Sequence, residues 1–148
     1  AKQYDRPVIT STHPRTKLRL QEFSLNQVDP RVVFLSPLGF FDYIKLQQHS
    51  TCVISDSGTI TEESSLLGFK AVMIRETHER PEGMDVGAVI MAGIESTGLL
   101  DAVAMTLKQS ALGLGTVDDY AAENVSGHVA RIIQSYTGYV NRNTWKKI

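Results

Sequence analysis

The sequence has 148 residues, 15 Lys and Arg against 16 Asp and Glu, and a formal net charge of −1. This near-neutral charge, without a basic block, argues against binding to nucleic acid or to an anionic membrane, and no apolar run reaches the roughly 18 residues that span a bilayer. The single cysteine, Cys52, excludes an internal disulfide and a cysteine-rich zinc site and is typical of a reducing cytoplasm. The chain starts at Ala1 without an initiator Met, so we expect a segment of a longer protein.

Short β-rich runs alternate with helical patterns along the chain. Apolar runs with β-branched residues predict strands, and apolar residues at helical spacing predict helices. The predicted strands cover residues 7–12, 32–35, 51–55, 71–75 and 88–91. The predicted helices cover residues 16–23, 40–49, 59–67, 97–108 and 125–139. Because strand and helix alternate in this way in a doubly wound parallel sheet, we predict a single α/β domain over residues 1–148.

Two of the predicted helices carry further sequence signals. At the start of the helix over 59–67, Thr59 and Glu62 have the spacing of a capping box, and Gly68 stands where a glycine ends a helix. The last helix has an apolar stripe on one side, formed by Val125, Val129, Ile132 and Ile133.

The loop after the third strand has the composition of an anion site. In doubly wound sheets, ligands bind outside the carboxyl ends of the strands, where residues 55–59 lie. Ser57 supplies a hydroxyl, Gly58 lets an anion approach the backbone, and the helix N-terminus adds about half a positive charge. Glu63, one turn into the helix, suits sugar hydroxyls. The same residues also suit a helix cap with solvent-facing acids, and the sequence leaves both interpretations open.

Two other loops at predicted strand ends are also polar. Arg80, after the fourth strand, suits a bidentate phosphate contact, although ion pairs within a solvated loop account for it equally well. His13 and Arg15 follow the first strand. Tyr43, on the second helix, suits a position beside a flat base, although a packing role is the commoner one for such a residue.

Several other kinds of chemistry are excluded. Ser57 is not in a nucleophile elbow, because Ser55 replaces the first Gly of G-x-S-x-G, and no P-loop or G-x-G-x-x-G follows the first strand. His78 has no second histidine four residues on, so we predict no metal site. Cys52 lies in an apolar strand and is predicted to be a core residue rather than a nucleophile.

Three polar segments stand out at the predicted strand ends: Ser11-Thr12-His13-Pro14-Arg15-Thr16, Ser55-Asp56-Ser57-Gly58-Thr59-Ile60-Thr61-Glu62-Glu63 and Glu79-Arg80-Pro81-Glu82-Gly83. Together they resemble the non-hydrolysing UDP-N-acetylglucosamine 2-epimerases, over most of the chain from about Pro7 to Gly93. The D-S-G-x-x-x-E-E block followed by the E-R-P-E block is the specific part of the resemblance. The tail over residues 136–145 is similar to a subgroup that makes UDP-N-acetyl-L-fucosamine for bacterial capsule or O-antigen.

This resemblance implies a fold and a set of binding residues. The fold is a Rossmann-like domain, the C-terminal half of a glycosyltransferase-B architecture with two such domains. The implied UDP-binding residues are Tyr43, Ser57, Gly58, Thr59, Glu63 and Arg80. A regulatory UDP-sugar site or a place in the cleft is implied for His13 and Arg15.

The implied roles differ from residue to residue. Ser57, Gly58 and Arg80 match positions that hold the diphosphate, and Glu63 matches the carboxylate that holds the ribose hydroxyls. Tyr43 matches a position beside the uracil. Two residues depart from the family pattern. Thr59 stands where many members have a second Gly, which narrows the anion loop, and Lys70 stands where a Pro usually precedes the fourth strand.

The resemblance further implies epimerisation at C2 of a UDP-N-acetylhexosamine, by elimination and re-addition of UDP. The acids and bases of that reaction are carboxylates of an N-terminal domain, so we expect no catalytic residue, metal or cofactor in this chain. The expected partners are the UDP-sugar, the N-terminal domain of the parent chain and a second copy in a homodimer, in the cytoplasm. Two alternatives are a UDP-sugar-dependent glycosyltransferase domain and a non-catalytic α/β binding module, and the E-R-P-E block favours the epimerase.

Overall fold

A computed structural model describes residues 1–22, 28–109 and 115–147. Its chain divides into two compact units, Ala1–Ser50 and Thr51–Ile148. Each unit has its own parallel sheet with helices following the strands, and the described strands pair in one group of two and one group of three. The predicted α/β class with parallel strands is therefore confirmed.

The first unit contains two strands and two helices. β1 (Val8–Ser11) and β2 (Val32–Leu35) pair in parallel, and they are followed by α1 (Pro14–Glu22) and α2 (Phe40–His49) respectively. α1 begins before the predicted Thr16, because the fixed φ of proline suits the first position of a helix. The predicted end of this helix, Phe23, lies outside the described residues.

Ionic contacts support the strand pair of the first unit. Arg31, just before β2, donates its backbone N–H and its Nε–H to Asp29 Oδ1 at 3.0 and 2.9 Å, and its guanidinium also pairs with Asp5. The strands themselves keep large apolar side chains at the surface, with Val33 42% and Phe34 38% exposed. Ion pairs therefore lie beside this strand pair, whereas its strands bury little apolar surface.

The second unit contains a three-stranded parallel sheet. β3 (Val53–Ser55), β4 (Ala71–Met73) and β5 (Val89–Met91) lie side by side in chain order. The helices of this unit are α3 (Ile60–Leu67), α4 (Pro81–Asp85), α5 (Ser96–Lys108) and α6 (Val125–Asn143), with a short 3-10 helix at Asp118–Ala121. All three strands and the three longer helices occur where the sequence predicts them, and α4 lies in a segment predicted to be a loop.

The hydrophobic core of the second unit lies between the sheet and α3. Its buried members are Val53, Ile60, Phe69, Ala71, Met73 and Val89, and Met84 and Met91 pack against them. The buried side of α3 also carries small polar residues. Ser64 places its hydroxyl 3.0 Å from the Phe69 carbonyl oxygen and 3.3 Å from that of Ala88. Because the Ser64 hydroxyl has two carbonyl oxygens within reach, its burial between the helix and the sheet costs less than that of an unpaired hydroxyl.

Two glycines shape the ends and contacts of α3. Gly68 adopts φ 70° and donates its N–H to the Ser64 carbonyl oxygen at 2.9 Å, so the predicted glycine stop is confirmed. Gly83 on α4 is buried against α3, and a Cβ built on it would lie 1.8 Å from Thr61 Cγ2. The close approach of α4 to α3 therefore requires a residue without a side chain at position 83.

The last helix, α6, keeps its apolar stripe exposed. Val129, Ile132 and Ile133 are 48%, 57% and 60% accessible. The helix is longer than predicted, because it continues beyond Tyr139 to Asn143. Among the helices in the described ranges, none combines the length and the apolar character needed to cross a membrane.

Candidate functional site

The loop between β3 and α3 is organised by a chain of side-chain hydrogen bonds. The Ser57 N–H donates to Ser55 Oγ at 3.1 Å, and Ser57 Oγ lies 2.9 Å from Thr59 Oγ1. Thr59 Oγ1 donates to Glu63 Oε1 at 2.7 Å. Because the Thr59 hydroxyl has a single proton and gives it to Glu63, the Ser57 hydroxyl is the donor to Thr59. The Ser57 hydroxyl is thus an exposed hydrogen-bond donor in this loop, and an anion is able to accept its hydrogen bond in place of Thr59.

The start of α3 differs from the predicted capping box. Thr59 lies at the N-cap, but its backbone is helical and its side chain makes no capping hydrogen bond. Glu62 turns to Arg80 and pairs with its Nε. The prediction of a Thr59–Glu62 capping box is therefore wrong, because a hydrogen bond between two charged groups is stronger than one to a neutral backbone N–H.

The backbone groups at the start of α3 are only weakly engaged. The Ile60 N–H lies 3.4 Å from the Ser57 carbonyl oxygen, and the Thr61 N–H lies 3.4 Å from that of Gly58. Both distances exceed the usual 2.7–3.2 Å of a protein N–H···O bond. Ile60 and Thr61 are fully buried, so what the first turn of α3 offers to an anion in the loop is the favourable end of the helix dipole rather than these two N–H groups.

Arg80 packs directly onto Gly58. A Cβ built on Gly58 would lie 2.7 Å from Arg80 Nη1. Glu62 engages the Nε side of the same guanidinium, so its hydrogen bond fixes the plane of the fork and raises the pKa of Arg80. The glycine thus makes room for the guanidinium itself at the position where the sequence predicted the approach of an anion, and Arg80 brings a permanent positive charge to the loop.

A second arginine and an acidic side chain complete the charges around Gly58. Arg75 Nη1 is 3.5 Å from the Cβ position of Gly58. Glu79 reaches both arginines, with Oε1 3.4 Å from Arg75 Nη2 and Oε2 3.7 Å from Arg80 Nη1. Glu79 is 71% exposed, whereas the two arginines are 26% and 31% exposed. The loop is therefore lined by the partly buried guanidinium groups of Arg75 and Arg80. Both pair with the solvent-exposed carboxylate of Glu79.

A hydrogen bond between Tyr120 and Glu82 ties α4 to the short 3-10 helix. The Tyr120 hydroxyl donates to Glu82 Oε1 at 2.7 Å, which lowers the pKa of Glu82. Partial burial, followed by the same hydrogen bond, raises the pKa of Tyr120. On the neighbouring turn of chain, the Val117 N–H donates to Ser65 Oγ at 2.9 Å. The segment around Tyr120 thereby braces the elements that carry Arg80 and Glu62.

The predicted site residues are distributed over both units. In the second unit the structure brings Ser57, Thr59 and Glu63 into one hydrogen-bonded chain, and it places Arg80 on Gly58. His13, Arg15 and Tyr43 belong to the first unit. His13 and Arg15 are exposed there, and His13 Nδ1 accepts a hydrogen bond from the Arg15 N–H at 3.2 Å. Tyr43 is half-buried on α2.

A small cleft opens at the carboxyl end of β1 and β2 in the first unit. Its volume is about 260 Å³, and its lining includes Thr12, Lys17 and Phe34. Neither His13 nor Arg15 is among the described residues that line it. In this unit, His13 and Arg15 therefore contact each other through one local hydrogen bond. That contact by itself indicates no ligand.

Two other residues singled out in the sequence have structural roles. Cys52 is half-buried, and burial raises the pKa of its thiol to about 11, so the thiol stays protonated at neutral pH as a core residue would. Lys70 donates from Nζ to the Leu107 carbonyl oxygen at 3.0 Å, at the C-terminal end of α5. Within the described ranges, no group of His, Cys, Asp or Glu side chains is arranged to hold a metal ion.

Arg75 and Glu62 contact the residues of this loop, although neither is predicted from the sequence to contact a ligand. The sequence predicts Arg75 as the last residue of a strand, but β4 ends at Met73, so Arg75 lies at the carboxyl edge beyond it. The available signal was the charge of Arg75 at the end of an apolar strand. The spacing from Thr59 predicts a capping role for Glu62, and nothing in its local sequence separates a capping carboxylate from a partner of a distant arginine.

The fold and this loop define an α/β protein with parallel sheets and an arginine-lined helix start, and the fold matches epimerase structures of the glycosyltransferase-B type. A family model described as UDP-N-acetylglucosamine 2-epimerase matches residues 1–134. The chain therefore belongs to the UDP-N-acetylglucosamine 2-epimerase family, as the sequence resemblance predicted.

Individual relatives agree with this assignment. The structure of UDP-N-acetylglucosamine 2-epimerase from Rickettsia bellii matches with a TM-score of 0.83 and 44% identity, over 99% of this chain and 41% of that one. The enzyme from Methanocaldococcus jannaschii, solved in complex with UDP-GlcNAc and UDP, matches with a TM-score of 0.71 and 28% identity. This match covers 90% of this chain and 37% of that one.

The match covers only part of the relatives' length. The curated Methanocaldococcus jannaschii UDP-N-acetylglucosamine 2-epimerase is 34% identical over 109 residues, which are 72% of this chain and 30% of the relative. The counterpart from Methanococcus maripaludis is 34% identical over 113 residues, which are 74% of this chain and 31% of that relative. This chain thus corresponds to less than half of such an enzyme.

Proposed function

We propose that this chain is the UDP-binding part of a UDP-N-acetylhexosamine 2-epimerase. The observation that carries the proposal is the Arg80 guanidinium seated on Gly58 at the start of α3, in a chain of the epimerase family. In this proposal residues 1–148 form the C-terminal part of the parent enzyme. Its catalytic N-terminal domain lies outside this chain and supplies the general acids and bases at C2.

The residues of the second unit would act on the diphosphate. Ser57 donates its hydroxyl, the positive end of the α3 dipole lies behind the loop, and Arg80 supplies a bidentate cation. When the bond from C1 to the diphosphate breaks, negative charge grows on the leaving oxygen. Donors already held in place stabilise that charge without further reorganisation, so this part of the enzyme favours both departure and return of UDP.

The remaining positions follow the family pattern as proposals. Glu63 holds the ribose hydroxyls, with Thr59 keeping its carboxylate oriented through the 2.7 Å hydrogen bond. Tyr43 lies beside the uracil, and His13 with Arg15 contributes to the cleft or to a regulatory UDP-sugar site. On the sequence resemblance alone, we place the parent in the UDP-N-acetyl-L-fucosamine subgroup, in cytoplasmic synthesis of bacterial surface polysaccharide.

The first test is binding of UDP to the chain, measured by titration calorimetry. We expect weak binding by the wild type and a loss of affinity of about tenfold to a hundredfold in Arg80→Gln, because a charge-assisted bidentate contact is removed. Arg80→Gln also leaves Glu62 without its partner, so the matched control is the double variant Arg80→Gln/Glu62→Gln. The double variant removes both charges and should recover thermal stability but not UDP affinity. Absence of UDP binding by the wild type at millimolar ligand would contradict the proposal and favour a non-catalytic α/β module.

The second test distinguishes the two enzyme classes in the parent protein. The family match favours the epimerase over a glycosyltransferase. Proton NMR of a UDP-N-acetylhexosamine incubated with the parent should show inversion at C2 without an acceptor. Transfer of the sugar to an acceptor, with C2 unchanged, would support the glycosyltransferase alternative instead.

A further inference from the structure

Arg75 occupies a place in the anion loop that its position in the sequence does not reveal. The Ile74 N–H donates to the Ser55 carbonyl oxygen at 3.0 Å, so the segment after β4 continues alongside the end of β3. This contact holds Arg75 at the same edge as the loop that contains Gly58. The side chain is 26% exposed, and Nη1 lies 3.5 Å from the Cβ position of Gly58.

Two guanidinium groups therefore converge on one glycine. Arg80 Nη1 lies 2.7 Å from the same Cβ position. Two like charges held this close repel each other, and the arrangement is most favourable when an anion lies between them. Glu62 already binds Arg80 from its Nε side, which leaves the Nη side of the fork facing the loop.

Glu79 is a weak substitute for such an anion. Its carboxylate oxygens are 3.4 Å from Arg75 and 3.7 Å from Arg80, both longer than a good charge-assisted hydrogen bond. It is also 71% exposed, so solvent screens both contacts. Of the described residues, Glu79 is the one that forms an ion pair with Arg75. A stronger anion with several oxygens is therefore able to displace it.

We propose that Arg75 is a second guanidinium of the diphosphate site, binding phosphate oxygens beside Arg80, and that Glu79 is the counter-ion displaced when the ligand enters. The inference rests on the proposed UDP site. A diphosphate offers two phosphoryl groups, and two planar forks that converge on Gly58 match them better than one. Arg75 then contributes to affinity for the nucleotide and to the stabilisation of its departing charge.

The experiment measures UDP affinity by calorimetry in the wild type, Arg75→Gln, Arg75→Lys and Glu79→Gln. We expect Arg75→Gln to weaken UDP binding about tenfold and Arg75→Lys to fall between it and the wild type, because lysine keeps the charge and loses the fork. Glu79→Gln should tighten binding by up to about threefold, because it removes a competing counter-ion. Arg131→Gln, an exposed arginine of α6, is the control for the change in net charge.

The variants separate ligand binding from a structural ion pair. If Arg75 served only to pair with Glu79, Arg75→Gln and Glu79→Gln would weaken UDP binding equally, and that result overturns the inference. Unchanged affinity in Arg75→Gln, with a normal loss in Arg80→Gln, overturns the inference and leaves the proposed function standing. If the wild type itself binds no UDP, both fail. Thermal melting identifies an Arg75→Gln variant that is unstable. In that case the two single variants Arg75→Lys and Glu79→Gln decide. Weaker UDP binding by Arg75→Lys together with tighter binding by Glu79→Gln supports the inference, and equal losses of affinity overturn it.

Discussion

The two units each have a polar loop that follows a parallel strand, and among the described residues only the loop after β3 gathers charged side chains from several elements. After β3, the loop is backed by a buried sheet and receives Arg75 and Arg80 from the next crossover. After β1, the loop carries His13 and Arg15, which are exposed and contact each other. Both sequences have polar residues of the right type at the right end of a strand. The difference is the number of elements that converge on each loop.

The burial of the two units accounts for this difference. In the second unit Ile60 and Thr61 are fully buried at the start of α3, so the first turn of that helix is held rigidly against the sheet. In the first unit the strands keep Val33 and Phe34 partly exposed. A constellation of charged groups keeps its geometry only where packing holds the backbone that carries it. The second unit meets this condition in the structure.

The largest expected effect comes from breaking the packing behind the site. Gly83→Ala should destabilise the protein by about 1–3 kcal/mol, because its Cβ would meet the buried, β-branched Thr61 and α4 would have to move. Urea unfolding followed by circular dichroism measures this. Gly39→Ala in the first unit is the matched control, since its Cβ would lie at an ordinary 3.7 Å from Asp42 Oδ2. Equal losses of stability in both variants would contradict the contrast between the two units.

A smaller effect, on binding rather than on folding, is expected from Gly58→Ala. The added Cβ would displace the far end of the Arg80 side chain, which is flexible, so the melting temperature should change little. UDP affinity should fall about tenfold, because the added Cβ moves the Arg80 guanidinium away from the loop where it would contact the diphosphate. Calorimetry and thermal melting of the same sample separate the two quantities. A large loss of stability with unchanged affinity would show that Gly58 serves the fold and not the ligand.

The smallest effect is expected in the first unit at acid pH. Hydrogen bonds from Arg31 hold the pKa of Asp29 well below its usual value of 3.8. A carboxyl whose pKa is lowered by folding contributes stability above its unfolded pKa, and this contribution is lost as the pH falls toward the folded value. Asp29→Asn should therefore flatten the decrease in hydrogen-exchange protection of the Val32 amide between about pH 5 and pH 2. The control is Asp101→Asn on α5 in the second unit, and an unchanged acid profile in Asp29→Asn would refute the role of the ion pair.

Much of the fold was predictable because its signals are local. The apolar runs that became β3, β4 and β5 are continuous and bounded by polar loops, and Gly68 ends α3 through its own backbone conformation. The short helix α4 was not predicted. It begins at Pro81, a favourable first helical residue, but five residues are too few to show a period.

The site was predictable only in part, for a related reason. Ser57, Gly58 and Glu63 lie within one strand–loop–helix segment, so the sequence alone indicates that they belong together. The partner of Glu62 is 18 positions away, and its choice of Arg80 over the helix cap depends on how α4 packs on α3. The same packing brings Arg75 and Arg80 to one glycine.

The sequence by itself determined the α/β class, the strand–loop–helix segment with its serine and glycine, and the resemblance to the epimerase family, because each depends on residues that are neighbours in the chain. The tertiary structure alone decided that Glu62 binds Arg80 rather than capping α3, and that Arg75 shares the loop. Both results depend on the energies of contacts between different elements of the fold. Those energies depend on distances that only the folded backbone sets.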